Sequence, residues 1–337
     1  MTWLEDLTDD ERRCLRPAPM PRSLSPMLAT LSKRAPTAPD GPATGEWVYE
    51  RKLDGQRILA YCEGADVRLR SRTDKSADGA YPEIVDALHD QVASDCLLDG
   101  EVVAFDGPTT SFSRLQGRMG QHDPVLSRRS GIPVFFYVFD IVHLDGIDLT
   151  GLPLRRRKSL IRAAVRAGGP IRLSPHRRDG VALFEEACAK GWEGVIAKRI
   201  DSTYQPRRST AWLKHKCEAG QELVIGGWTE PRGSRSELGA ILVGHFEGDE
   251  LVYAGKVGTG FDERTLRALG RQLRARARAD APFRPHPLLP RRDVHWVEPD
   301  LVCQVGFAEW TGDGLLRHPR YQGLRDDKPA REVVRER

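Results

Sequence analysis

Between Cys217 and Gln221 the sequence changes character, and the change divides the chain into two different folding problems. Before it, strand-like runs at 47–53, 57–62, 66–71, 96–105 and 134–142 alternate with helical patterns near 81–93, 153–167 and 181–190. Two further extended runs follow, at 194–199 and 212–216. After the change, "ELVIGGW", "GAILVGHF", "ELVYAGKVG" and "LVCQVGFAEW" read as short strands, with Gly248-Asp249 as a hairpin turn. One helix, about 262–278, interrupts them, and Asp262 is placed to cap it. A chain of 337 residues is long for one core and comfortable for two.

The first pattern predicts an α+β domain with antiparallel sheets over 22–218. The second predicts a small Greek-key β-barrel of the OB-fold type over 219–337. Residues 1–21 read as an N-terminal extension, a short helix within 1–16 broken by Pro17, Pro19 and Pro21. Residues 33–45, rich in Pro, Gly, Ala and Thr, read as a loop.

Charge is high but mixed, 52 basic against 48 acidic side chains, so a nucleic-acid partner is permitted without being required. Two basic runs stand out: Arg155, Arg156, Arg157 and Lys158, and Arg271, Arg274, Arg276 and Arg278. Each reads either as a solvated helix face or as an anion contact. The six cysteines form no CxxC pair, which argues against a zinc site. Several sit in apolar runs and read as small buried thiols of a reducing cytoplasm. The N-terminus lacks a signal-peptide core, and no stretch is long enough to cross a bilayer. No GxxxxGK[ST], GxSxG or HExxH occurs. "GKVGTG" at 255–260 has the wrong glycine spacing for a phosphate loop and reads as a hairpin turn.

The stretch "YERKLDGQRIL" sets Lys52 between Glu50 and Asp54, and an extended backbone puts all three on one face. It is an ordinary half-solvated strand, or it presents one amine to a ligand. A lysine nucleophile must lose a proton whose ordinary pKa is about 10.4. Burial and nearby cations assist that loss, whereas Glu50 and Asp54 oppose it unless engaged elsewhere, Asp54 with backbone or Arg57. Further along, "LRSRTD" offers Arg72, "LLDGEVVAFD" Asp99 and Glu101, "YVFDIV" Phe139, "WEGVIAKR" Glu193 and Lys198, "AWLKHKC" Lys214 and Lys216, and "GLRDDK" Arg325 and Lys328.

This ordered set, KxDGxR, SR, LDGE, YVFD, EGVxxK, WxKxK and RxDK, resembles the covalent nucleotidyltransferases. Within them it is most similar to ATP-dependent DNA ligases, especially the ligase module of bacterial ligase D, over about residues 22–333. The resemblance implies an adenylation domain followed by an OB-fold domain, with ATP as AMP donor and magnesium, or manganese in its place, as the metal. It implies that Lys52 attacks the α-phosphorus, Glu50 contacts the adenine amino group and Phe139 stacks on the ring. Glu101 matches a ribose-hydroxyl contact, and Arg57, Arg72 and Arg208 match cations around ribose and phosphate. Lys214 and Lys216 match the pair at the α-phosphate and, on this reading, depress the pKa of Lys52. Glu193, with Glu101, matches the metal carboxylates. Arg325 and Lys328 match the OB-domain pair that orients pyrophosphate, with 217–221 as hinge. Taken one at a time, Phe139 reads as core, Glu101 and Glu193 as structural partners of arginines, and Arg325 and Lys328 as a solvated tail.

The implied reaction seals 5′-phosphate/3′-hydroxyl ends in nicked or broken duplex DNA, with the run at 271–278 as a backbone contact. A monomeric, cytoplasmic, nucleoid-associated bacterial enzyme is expected, with the end-bridging Ku protein as recruiting partner. The polymerase and phosphoesterase modules often fused in ligase D are not seen, which suggests a stand-alone ligase or one piece of a split system. NAD as donor is disfavoured, since neither a nicotinamide-recognition domain nor a four-cysteine module is seen. "SRTDKS" departs from the glycine-containing SRNG-like turn of the family. The rival readings are an RNA ligase, a capping-type guanylyltransferase and a non-catalytic DNA-end scaffold.

Overall fold

The computed structural model describes all residues except 1, 33–35, 37–45, 218, 232–236, 291 and 337. The chain forms two compact units, Met1–Cys217 and Glu218–Arg337. Among the described residues, no helix is long and apolar enough to cross a membrane.

Two sheets build the first unit. One runs in the order Arg16–Pro17, Ile147–Asp148, Phe135–Leu144, Cys96–Val103, Gln56–Glu63, Asp66–Ser71, antiparallel throughout, with Ile171–Leu173 added in parallel beside Phe135–Leu144. The other runs His176–Arg177, Trp47–Arg51, Gly194–Arg199, Arg208–Lys216, Leu28–Leu31, its last pairing parallel. Strand alternation sorts the first sheet into two faces. Ile58, Ala60, Cys62, Leu98, Val102, Phe136 and Val138 join the larger core with Ile84 and Leu88 of the helix Pro82–Gln91 and Leu160 and Ile161 of Leu154–Ala164. Leu59, Tyr61, Leu97, Phe139 and Val142 point the other way and meet Met27, Tyr204 and Trp212 in a second core. Trp212 belongs to the second sheet, so this core lies between the sheets.

The N-terminal extension is part of this unit. Trp3 and Leu7 enter the larger core. The helix Asp9–Arg13 starts with a capping box, Thr8 with Glu11, and the Glu11 carboxylate also takes Arg156 at 2.8 Å. The basic run at 155–158 is therefore not a solvated face. Arg155 and Arg156 meet Glu11, Arg157 is wholly buried against Asp140, and Lys158 meets Glu50. Burial at 154, 157, 161 and 164 follows the helix period, which places Arg157 in the apolar stripe.

The cysteines differ from expectation at one pair. Cys188 and Cys217 form a disulfide across 29 positions, from the end of the helix Gly180–Ala189 to the end of the first unit. No spacing motif marks it, because the sheet and helix bring the two together. Cys62, Cys96 and Cys303 are free and buried, and Cys14 is free and exposed.

The second unit is an OB-fold domain organised on one long strand, Ala219–Thr229, which pairs antiparallel with Ala240–Glu247, Val294–Val297 and Val302–Phe307. Gly248, at φ +61°, turns Ala240–Glu247 into Glu250–Val257. "GKVGTG" is not a hairpin: it carries the end of Glu250–Val257 into the helix Glu263–Arg274. Asp262 caps that helix by accepting the Thr265 N–H at 2.7 Å. Three members of the basic run beyond it are neutralised locally: Arg274 by Glu237 (2.7 Å), Arg276 by Asp300 (2.8 Å) and Arg278 by Glu298 (3.3 Å). Arg271 has no ion pair among the described residues.

Candidate active site

The second sheet aligns its functional residues in rows. Glu50 faces Ile196, which faces Lys214, and Val48 faces Lys198, which faces Trp212. Residues in one row of an antiparallel sheet share a face, so Glu50, Lys198, Trp212 and Lys214 point the same way. The strand Trp47–Arg51 ends one residue before Lys52, whose N–H donates to the Gly194 carbonyl at 2.8 Å; Gly194 in turn faces Lys216. Two motif glycines are required by close approach. A Cβ on Gly55 would collide with the Val102 carbonyl, and one on Gly194, at φ +142°, with the His215 carbonyl.

Lys52 closes an ion pair with Glu193, and 19% of its side chain remains exposed. Burial pulls the pKa of the amine down, but the Glu193 charge and hydrogen bond, with Asp54 and Glu101 behind them, outweigh it and raise the value above that of a free lysine. This overturns the expectation that Lys214 and Lys216 depress it: carboxylates, not cations, dominate around the amine. Asp54 is held by backbone, accepting the Phe112 N–H at 3.3 Å while its own N–H donates to Thr110 Oγ1.

Glu50 is buried and bound to two ammonium groups, Lys158 at 2.6 Å and Lys198 at 3.0 Å, and accepts the Ser174 hydroxyl at 3.2 Å. Burial alone would raise its pKa, but the two lysines bring it below the ordinary glutamate value. Lys198 is pushed the other way, down to about 8, by burial and by Lys158 against the attraction of Glu50. Its ammonium also lies 4.0 Å from the Phe139 ring centre and 4.2 Å from that of Trp212.

Phe139 also receives Arg57, whose guanidinium carbon lies 4.5 Å from its ring centre. Arg57 is clamped by the fully buried Asp99, which takes the Tyr204 hydroxyl as well, at 2.7 Å. Glu101 faces Arg57 across the strands. Arg72 opens the turn after Asp66–Ser71. There Asp74 adopts φ +60°, the left-handed conformation, at the position where the SRNG-like pattern has glycine. Arg208 begins its strand exposed, with its guanidinium on the Ala29 carbonyl. In the second unit, Arg325 pairs with Asp327 (2.7 Å) and Lys328 with Glu222 (3.1 Å).

The structure thus gathers Glu193, Asp54 and Glu101 around the Lys52 amine and sets Arg57 and Lys198 against the Phe139 ring, Lys198 linking that ring to Glu50, with Lys214 and Lys216 on another strand of the same sheet as Lys198. Sequence reading gave no role to Lys158 or to Lys198 as partners of Glu50. The second lysine lay in view inside "EGVIAKR". The first was masked by its basic run.

A lysine at the end of a strand, met by a carboxylate at the start of the neighbouring strand of its own sheet and by Glu101 from the other sheet, in a chain that continues into an OB-fold unit, is the architecture of a covalent nucleotidyltransferase. The models for the ATP dependent DNA ligase domain and the ATP dependent DNA ligase C terminal region match residues 26–216 and 234–328. The chain is 37% identical over 329 residues to the multifunctional non-homologous end joining protein LigD of Pseudomonas aeruginosa, covering 95% of this chain and 37% of that protein. It is 36% identical over 336 residues to the LigD of Mycolicibacterium smegmatis, covering 98% of this chain and 42% of that one. The chain therefore spans about two-fifths of the length of these curated relatives. A solved mycobacterial DNA ligase D complexed with ATP and MES superposes with a TM-score of 0.65 at 36% identity, covering 93% of this chain and 98% of that one. The chain belongs to the ATP-dependent DNA ligase family.

Proposed function

We propose that this chain seals 5′-phosphate/3′-hydroxyl breaks in duplex DNA through an AMP carried on Lys52. The single observation that supports this most is the placement of Lys52: partly exposed, paired with Glu193, just past the end of a strand in the sheet whose one face carries Glu50, Lys198 and Lys214. Lys52 Nζ attacks the α-phosphorus of ATP, the N–P bond forms, and pyrophosphate leaves. Attack needs a neutral amine, so the ion pair with Glu193 must open first; this carboxylate is also the nearest acceptor for the proton. Lys214 and Lys216 then face the charge that grows on the phosphate. Arg325 and Lys328 are assigned to the pyrophosphate on motif order alone.

A 5′-phosphate at the break next takes the AMP, and the 3′-hydroxyl displaces it. These are in-line transfers that need positioning and charge neutralisation more than acid–base chemistry. Glu193 and Glu101 are hard oxygen donors suited to magnesium or manganese. No group of three metal-ligating side chains stands among the described residues, so phosphate oxygens and water would complete the shell. Bound there, the ion would neutralise phosphate charge.

The names of the relatives support a role in joining broken ends; Ku as recruiting partner rests on the family resemblance alone. The test is incubation with α-labelled ATP and a divalent metal, followed by mapping of the label and sealing of nicked DNA. Label on Lys52 that passes to the 5′-phosphate of nicked DNA and leaves as free AMP when the strand is sealed is expected. Labelling from GTP in place of ATP would make the chain a capping-type enzyme, and sealing of RNA alone an RNA ligase. Failure of Ku to bind or stimulate the protein removes the recruitment proposal.

A further inference from the structure

Glu50 is unusual among the site's carboxylates in its surroundings. Lys158 reaches it from the helix Leu154–Ala164, Lys198 from the neighbouring strand and Ser174 from the end of Ile171–Leu173. His176 lies opposite it in register. Asp140, the remaining acid near Lys198, is spoken for by Arg157 at 2.8 Å. Two ammonium groups therefore serve one carboxylate in a site closed to water, with Glu50 only 2% exposed. One of its oxygens, Oε1, lies 2.6 Å from Lys158 Nζ yet accepts no well-aligned hydrogen bond. It retains capacity for a donor.

A carboxylate can only accept hydrogen bonds, whereas a carboxylic acid can also donate one. Burial favours the acid, so a lone glutamate here would hold a proton and could satisfy either an amino group or a carbonyl. With two cations on it, that choice is removed. We propose that Lys158 and Lys198 are specificity-determining positioning residues: by holding Glu50 as an acceptor only, they make the site take a purine bearing an amino group and reject one bearing a carbonyl. The proposal rests on the reading, made above, that Glu50 meets the base. Rejection arises because the carbonyl oxygen would face an unprotonated carboxylate with no donor between them. The lowered pKa of Glu50 is in keeping with this.

The test compares formation of the lysyl-nucleotide from α-labelled ATP and α-labelled inosine triphosphate, which carries a carbonyl in place of the 6-amino group. The wild-type chain is expected to prefer ATP by about 10,000-fold, the scale of a site that hydrogen-bonds a polar group of its substrate. Lys158→Met and Lys198→Met should each cut that preference about tenfold, with the inosine nucleotide gaining relative to ATP, while Lys158→Arg preserves it. A purely structural role would slow both nucleotides alike and leave the ratio unchanged, which overturns the proposal. Glu50→Gln separates the two layers. If it leaves the ratio unchanged, Glu50 does not read the base and the underlying assignment fails. If it relaxes the ratio and the lysine variants do not, the lysine proposal alone fails. A measurement on the wild-type chain guards against variants that do not fold. In a carboxyl-carbon NMR titration Glu50 should stay ionised below the ordinary glutamate range, and protonation at or above that range overturns the proposal.

Discussion

Lys52 follows one strand of a sheet and Lys198 lies on the neighbouring strand, each beside a glutamate, and they are driven in opposite directions. Lys198 is 3% exposed, shares its carboxylate with a second lysine and is pushed down to about 8. Lys52 is 19% exposed, has Glu193 to itself with two more acids nearby, and is pushed up. By proton affinity alone, Lys198 is the better nucleophile. By access, it is useless as one: Phe139 and Trp212 flank its ammonium and Glu50 anchors it. The contrast teaches that a depressed pKa marks an unbalanced buried charge, which here serves to hold a neighbour, whereas reactivity needs a path to the reacting phosphorus.

The comparison breaks most sharply at the covalent step. Lys52→Ala should lose labelling from α-labelled ATP by about 1,000-fold or more, as expected when a nucleophile is deleted. Lys198→Met should still carry its label on Lys52, read by peptide mapping. AMP found on Lys198 of the wild-type chain would invert the assignment.

Stability against pH comes next. Lys198 in the folded chain loses its proton near pH 8, and in the unfolded chain near 10.5. Between these values the unfolded state binds more protons, so stability from this group rises with pH, by about 2–4 kcal/mol over the window. Denaturant unfolding at pH 8 and 10.5 should show that rise in the wild-type chain relative to Lys198→Met. Lys52 acts in the opposite sense. Its raised pKa contributes stability below about 10.5 that is lost only as pH climbs through the folded value.

A smaller effect tests the cause at Lys52. Glu193→Gln removes the main influence holding the proton while leaving burial in place, so the Lys52 pKa should fall, followed by NMR of the labelled amine. No change would mean that Asp54 and Glu101 carry the shift. The smallest effect belongs to the ring. Phe139→Leu should raise or lower stability through packing and cost the Lys198 contact about 0.5–2 kcal/mol, measured by a double-mutant cycle with Lys198→Met.

The residues on which chemistry was proposed were legible because each motif is local. A helix cap (Asp262) and a two-residue turn (Gly248-Asp249) leave their mark within a few positions. The same is true of the alternation that separates Ile58 and Ala60 from Leu59 and Tyr61. Partners were not legible. Lys52 meets Glu193 across 141 positions and Lys198 meets Glu50 across 148. Arg276 was proposed as a contact for DNA, and its partner within the chain, Asp300, was not foreseen. Cysteine usage was read as that of a reducing compartment, and Cys188 and Cys217 are bonded to each other.

From the order of residues alone came the division into two units and the character of each, because backbone preference, apolar period and capping all act over a turn or a strand; the residues proposed to handle a nucleotide came from the order of motifs. Folding in three dimensions settled which acid faces which lysine, and with it the signs of the proton shifts at Glu50, Lys52 and Lys198. Those signs depend on distance and burial, and both are set by strands that meet only after the chain has closed upon itself.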